Sequence, residues 1–433
     1  MDNLIFRRKI AEGAHFNSVS DPRYKFNRIT VGFFTPLDEE KASLCAVIPR
    51  ILCDGNKNYP VAKDFNNFLA SLYNAKIDNE VESFGDTQFI GLSINFMDDA
   101  FALNGENITD IAVNTLFDCL FSPVTENKGF AAQTTENCKR LQTEAVEAEI
   151  NDKRQYAANQ AKRTLYAGEP AAVNHQGDVE RINKATPQSL LEAYHELLRT
   201  SVIEIVCVGC NNFSGAFEIA KKEFAKLERG SLAPCSSEYS PLKPETAEIT
   251  ERLPLNQSKM VLGFKNKQAA RADASAEKAA LTLMSNLYGG TISSKLFLNV
   301  REKLSLCYYC WSRLNKYKGA MYVSCGVEEE KIGEAKAEIL LQLENVRKGD
   351  FTDEEMNNAL LSELNNIKTV NDSLSSLTWW YITRIYAGEI KSPEQFLQNY
   401  ENITREDIIN AANAMQLDTF YVLSKEAGEN EDE

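Results

Sequence analysis

The chain has 433 residues, enough at roughly 150 residues per domain for two to four domains. Its 47 Lys and Arg against 62 Asp and Glu give a net charge of −15, which argues against a binder of nucleic-acid backbone, since that needs a basic face. Hydrophobic residues at 43% and charged residues at 25% are near the globular average and exclude wholesale disorder.

The N-terminus, Met1-Asp2-Asn3-Leu4-Ile5-Phe6-Arg7-Arg8-Lys9, has no apolar stretch of signal-peptide length, and no run of 18 apolar residues follows anywhere. This predicts a cytoplasmic protein with no membrane partner. Most of the ten cysteines sit in apolar runs such as Leu44-Cys45-Ala46-Val47, the pattern of reduced core thiols. Ile29-Thr30-Val31-Gly32-Phe33-Phe34 reads as a strand, residues 38–53 and 64–73 as helices, and Gln88-Phe89-Ile90-Gly91-Leu92-Ser93-Ile94 as a further strand. Thr186 is placed as a helix N-cap, ahead of the strand-like Val202-Ile203-Glu204-Ile205-Val206-Cys207.

Residues 230–246, rich in proline and serine, read as a linker. Beyond it the order repeats. Met260-Val261-Leu262-Gly263-Phe264 matches the strand at Gly32, and helices are expected over 273–288 and 292–303. Met321-Tyr322-Val323-Ser324-Cys325 reads as a strand and 353–361 as a helix. Ile385-Tyr386-Ala387-Gly388-Glu389 echoes Leu165-Tyr166-Ala167-Gly168-Glu169, and Thr404, with Asp407 three residues on, echoes Thr186. The expectation is an α+β protein of two similar domains, 1–229 and 247–425, each a mostly antiparallel sheet with helices on one face. An acidic tail, 426–433, follows.

His195-Glu196-Leu197-Leu198-Arg199 begins like a helical H-E-x-x-H zinc motif, but Arg199 replaces the second imidazole. With His15 and His175 the chain has three histidines, none paired at helical spacing, so an autonomous zinc site is not expected. Two C-x-x-C pairs, Cys207/Cys210 and Cys307/Cys310, read as buried core thiols, because residues i and i+3 of a strand face opposite sides. Tyr288-Gly289-Gly290-Thr291-Ile292-Ser293-Ser294-Lys295 lacks P-loop spacing and reads as a turn, with Thr291 capping the next helix.

The longest signature is Ser293-Ser294-Lys295-Leu296-Phe297-Leu298-Asn299-Val300-Arg301-Glu302-Lys303-Leu304-Ser305-Leu306-Cys307-Tyr308-Tyr309. It resembles S-x-L-F-x-x-V-R-E-K-x-x-L-x-Y, the C-terminal-domain pattern of the insulinase/pitrilysin-type metallopeptidases, the inverted zincins. The resemblance implies two similar α+β domains forming half of a clam-shell chamber, with Arg301 and Tyr308 reaching toward substrate. A guanidinium and a phenol suit that task, since both can hold a peptide carbonyl and its developing oxyanion. It also implies H-x-x-E-H on the first long helix, and the positions that match are Ala46, Val47, Ile48, Pro49 and Arg50. Ala46 offers no lone pair, Pro49 no carboxylate, and Arg50 puts positive charge where a dication would sit. The resemblance places a third ligand near Glu149, at a longer gap from Arg50 than the family's, and Glu149 is read instead as part of a solvated helix face.

The expected function is therefore a non-catalytic bacterial subunit of a heterodimeric peptidase. A homologous partner would carry H-x-x-E-H and the zinc, while this chain holds no metal and contributes Arg301 and Tyr308 to the peptide substrate. The alternative is a pseudoenzyme that binds or scaffolds a peptide or protein client without hydrolysis. The oligomeric state of the isolated chain is left open, a homodimer included.

Overall fold

The computed structural model describes residues 5–267 and 275–425. The acidic tail 426–433 and the start of the helix expected over 273–288 lie outside them. The chain forms two compact units that are not the two linear halves. Unit 1 comprises Met1–Glu147, Val173–Ser236 and Thr369–Gln395; unit 2 comprises Ala148–Ala172, Ser237–Lys368 and Phe396–Glu433. Cutting the chain at 230–246 thus misassigns two segments, 148–172 and 369–395, each of which packs on a sheet built by the other half.

Unit 1 holds strands β1 (Phe6–Ala11), β2 (Ala14–Ser20), β3 (Phe26–Pro36), β4 (Lys76–Phe84), β5 (Thr87–Met97), the two-residue pair β6 (Thr125–Glu126) and β7 (Gly129–Phe130), and β8 (Val202–Gly209). Its main sheet runs β1-β2-β8-β3-β5-β4. Unit 2 holds β9 (Ala247–Leu253), β10 (Ser258–Asn266), β11 (Cys307–Asn315), β12 (Ala320–Val327) and β13 (Met415–Lys425), in the order β11-β12-β10-β13-β9. Read from β4, the first sheet has the order of the second plus the extra edge strand β1. In each sheet one pair is parallel, β2 with β8 and β9 with β13, and the others are antiparallel.

In β3 the alternate residues Ile29, Val31 and Phe33 enter the main core with helix residues such as Val47, Ile48 and Leu116. The other face is covered too, by the helix Leu374–Tyr386, whose Tyr386 stacks on Phe34 at 5.5 Å and whose Trp379 meets Phe89 at 5.3 Å. Unit 2 repeats this with the helix Lys153–Leu165: Ala157 and Ala161 pack on Val261, Tyr421 and Leu423. This double burial is why the central strands are apolar on both faces instead of alternating. The paired sequence echoes now have a shared role. A Cβ on Gly263 would come within 3.0 Å of Leu165, and one on Gly32 would strike Phe89, the ring on which Trp379 packs. The Tyr386 hydroxyl bonds Phe84 O and Thr87 Oγ1 in the β4–β5 hairpin, and Asn315, at the β11–β12 hairpin, donates to the Tyr166 hydroxyl. Gly168 and Gly388, just beyond the two tyrosines, both take positive φ, +85° and +71°, which favours glycine as a helix stop.

Thr186 and Thr404 both close capping boxes, with Ser189 and Asp407. The first long helix starts at Ala42 rather than 38, because the Asp38 carboxylate accepts the backbone N–H groups of Glu40 and Lys41 and holds a turn there. Thr291 does not cap the next helix: its hydroxyl donates back to Asn286 O, and Ser294 accepts the Phe297 N–H instead.

Candidate functional site

In unit 1 the five positions matched to H-x-x-E-H lie on the helix Ala42–Cys53. Ala46, Val47, Ile48 and Pro49 are buried, and Pro49 sits inside the helix, where its ring costs a backbone hydrogen bond. Arg50 starts a run of polar contacts. Its Nε donates to Gln142 Oε1 at 2.7 Å, and Gln142 Nε2 donates to Gln176 O at 2.7 Å and to Gln176 Oε1 at 3.0 Å. Gln176 Nε2 in turn donates to Val81 O at 2.8 Å. Sequence reasoning missed the two glutamines, since neither is a metal ligand or lies in a motif. The run contains a guanidinium, neutral amides and carbonyls, with no carboxylate, imidazole or thiolate. These residues do not fit a zinc ion, which needs three or four N, O or S ligands of that kind. Glu149 belongs to unit 2, on the turn Ala148–Asn151, with Arg163 at 3.7 Å from its carboxylate.

The histidines do not assemble. His195 is exposed on the helix Pro187–Thr200, and the adjacent Glu196 accepts a hydrogen bond from Lys41 at 2.7 Å. His15 faces the buried Glu204 at 3.3 Å, and Arg7 and Asn17 donate to the same carboxylate. Burial opposes ionisation of Glu204, and its hydrogen bonds to His15 and Arg7 reverse that, leaving the carboxyl below its ordinary range. It is a structural anion tying β1 and β2 to β8.

In unit 2, Arg301 lies on the helix Leu296–Lys303, which winds in wide turns: Leu304 N donates to Asn299 O and Leu306 N to Val300 O. Its guanidinium rests over the Phe297 ring at 4.6 Å and is about 41% exposed. Ser305, at φ 51°, turns the chain into β11. There Cys307 pairs with Val327, Tyr309 with Gly326, and Cys310 with Cys325. Two residues, Tyr308 and Tyr309, thus oppose Gly326 alone, a β-bulge that re-aims side chains. Tyr308 is turned out, 68% exposed. No hydrogen bond joins Arg301 to Tyr308 among the described residues.

The bulge overturns one sequence expectation. Strand parity puts Cys307 and Cys310 on opposite faces, but the extra residue restores them to one face. With Cys325 across the ladder, the three sulfurs lie within 4.8 Å of one another. The other pair stays apart in character: Cys207 is buried inside β8, and Cys210 lies beyond its end, partly exposed. Among the described residues no helix is long and apolar enough to cross a membrane.

A family model described as the peptidase M16 inactive domain matches residues 184–362. The chain is 25% identical over 407 residues to the probable inactive metalloprotease YmfF of Bacillus subtilis, spanning 93% of this chain and 94% of that protein. Among solved structures, a conserved protein from Enterococcus faecalis superposes with a TM-score of 0.89 at 24% identity, covering 98% of this chain and 100% of that one. The peptidase M16 inactive domain from Pseudomonas fluorescens superposes at 0.79 with 18% identity, over 97% and 98% of the two chains. The solved structures establish the shared fold.

Proposed function

Because the chain belongs to the M16, insulinase-type peptidase family as an inactive metalloprotease homologue, we propose that it is the non-catalytic subunit of a heterodimeric zinc peptidase. The observation that carries this reading is the contrast within the chain. The positions that match the zinc motif are buried helix residues and an Arg50 held by Gln142, whereas Arg301 is partly exposed on its helix, resting on Phe297 and 3.5 Å from Glu302, and Tyr308 is exposed at the bulge with no hydrogen bond among the described residues. In the assembled enzyme a homologous partner with an intact H-x-x-E-H motif holds the zinc and the general base. The chemistry zinc supplies is polarisation of the scissile carbonyl and activation of water. This chain's Arg301 grips a peptide carbonyl through its guanidinium fork, and the Tyr308 hydroxyl donates to the oxygen that gains charge.

The test is co-expression with such a homologue, followed by a peptidase assay with and without chelator. The expected result is chelator-sensitive cleavage by the pair and none by either subunit alone. A stable complex with no cleavage of any peptide would favour the client-binding scaffold in its place.

A further inference from the structure

We infer that Cys307, Cys310 and Cys325 form a buried three-thiolate site for one soft d10 cation, monovalent copper in the first place. The geometry is built by the strand pair itself. Cys310 faces Cys325 directly across β11 and β12, Val327 is two residues along from Cys325 on the same face, and Cys307 is opposite Val327. The bulge at Tyr308-Tyr309 makes this possible, and Gly326 makes the bulge possible, since a Cβ there would lie 2.4 Å from the Tyr309 ring. Metal–thiolate bonds of about 2.3 Å need sulfurs about 4 Å apart, which the observed spread of no more than 4.8 Å nearly meets before any ion draws them in.

The ligand set selects the ion. All three thiols are buried, Cys325 completely and Cys307 to 9% exposure, so hard oxygen-seeking cations find neither donors nor water there. Among the described residues no His, Asp, Glu or further Cys joins the group. Three sulfurs without a fourth ligand suit Cu(I), whereas structural zinc is almost always four-coordinate. Binding expels the thiol protons and leaves excess negative charge. Arg301, on the preceding helix, is close enough to act on Cys307, whereas Lys259, over the Tyr309 ring at 5.9 Å, is in register with Gly326 and lies on the other face of the sheet.

The experiment titrates the reduced full-length chain anaerobically with Cu(I) against a chromophoric Cu(I) chelator, with Zn2+ in a parallel arm. X-ray absorption at copper counts the sulfurs. One Cu(I) per chain with three sulfur neighbours is expected. Cys325→Ser and Cys307→Ser should each weaken binding by more than about 100-fold, beyond the 10- to 100-fold typical of losing an outer-shell group. Cys210→Ser, in the other C-x-x-C pair, should change nothing. Thermal melting checks each variant, and if Cys325→Ser does not fold, Cys307→Ser at the strand's start decides. Equal copper retention by wild type and both variants would mark adventitious thiol binding and overturn the site. Zinc held in preference to copper, with a tetrahedral Co2+ spectrum, would overturn the three-coordinate assignment.

Discussion

The helix Ala42–Cys53 in unit 1 and the helix-to-strand step 296–309 in unit 2 are the segments matched to the two parts of a peptidase signature by resemblance, and they have opposite surroundings. From the Arg50 Nε a run of hydrogen bonds passes through Gln142 and Gln176, and the last acceptor is the backbone carbonyl of Val81. Around Tyr308 the backbone spends an irregular bulge on presenting a phenol to solvent, and no hydrogen bond holds that hydroxyl among the described residues. The difference teaches that an absent metal motif is not an empty one. Four of the five matched positions are buried and the fifth, Arg50, is bonded to the buried Gln142, so they can be probed through stability, while Arg301 and Tyr308 are probed chiefly through what they bind.

The largest loss of stability is expected from writing the motif back, as Ala46→His, Pro49→Glu and Arg50→His together. Ala46 is fully buried, so an imidazole there overpacks the core at about 1–3 kcal/mol. The new buried polar groups lack partners, adding about 1–3 kcal/mol each. Urea denaturation should show a loss of at least about 3 kcal/mol, and equilibrium dialysis should show no tight zinc at this site. A triple variant that melts like wild type and gains one zinc would mean the site is dormant rather than rebuilt. Arg50→Ala alone leaves the Oε1 of the buried Gln142 without its donor, for an expected cost of about 1–3 kcal/mol.

A smaller effect separates the two capping boxes. Thr186→Ala and Thr404→Ala should each cost about 1 kcal/mol. Their pH dependence should differ, because Ser189 cannot titrate and Asp407 can. Hydrogen bonds from the Thr404 hydroxyl and backbone N–H hold the Asp407 carboxyl below its ordinary value. Its contribution is therefore present above the unfolded-state pKa, near about 3.9, and is lost as pH falls through the lowered folded value. Amide exchange at acid pH should open the helix Arg405–Ala414 before the helix Pro187–Thr200. Equal opening of both would remove Asp407 from the cap.

Much of this fold was legible because its signals are local. Threonine caps, strand runs and the Tyr-Ala-Gly-Glu echoes are properties of a few consecutive residues. The echo between 165–169 and 385–389 marked equivalent helices correctly, but no periodicity records which sheet a helix packs on. That choice is made by Gly32, Phe89, Gly263 and Leu165 across long sequence separations. The cysteine cluster was hidden for a different reason. Strand parity holds only in an unbroken ladder, and the clue to the bulge, Gly326 opposite two tyrosines, lies on another strand. The Arg50–Gln142–Gln176 chain left no signal at all, since amides in a helix and a loop look like side chains turned to water until the partners are seen.

The smallest change in stability, and the sharpest division between the two regions, is expected at Arg301 and Tyr308. Arg301→Ala removes exposed contacts with Phe297 and Glu302, together worth about 1 kcal/mol. Tyr308→Phe removes one solvent-facing hydroxyl and should alter stability by no more than about 0.5 kcal/mol. Turnover by the reconstituted pair should nevertheless fall by roughly 10- to 1000-fold for either variant, because a charge-assisted or oxyanion-directed hydrogen bond is made chiefly in the transition state. The conservative Arg301→Lys variant sharpens the reading. A point charge cannot reproduce the bidentate fork, so it should recover only part of the loss if Arg301 grips a carbonyl, and nearly all of it if Arg301 merely supplies a positive field. Melting curves and subunit association are measured alongside turnover, so that a fall in rate is not mistaken for a fall in assembly. Variants that assemble, melt normally and cleave peptide at the wild-type rate would leave the bulge without a catalytic purpose and move the molecule to the scaffold class.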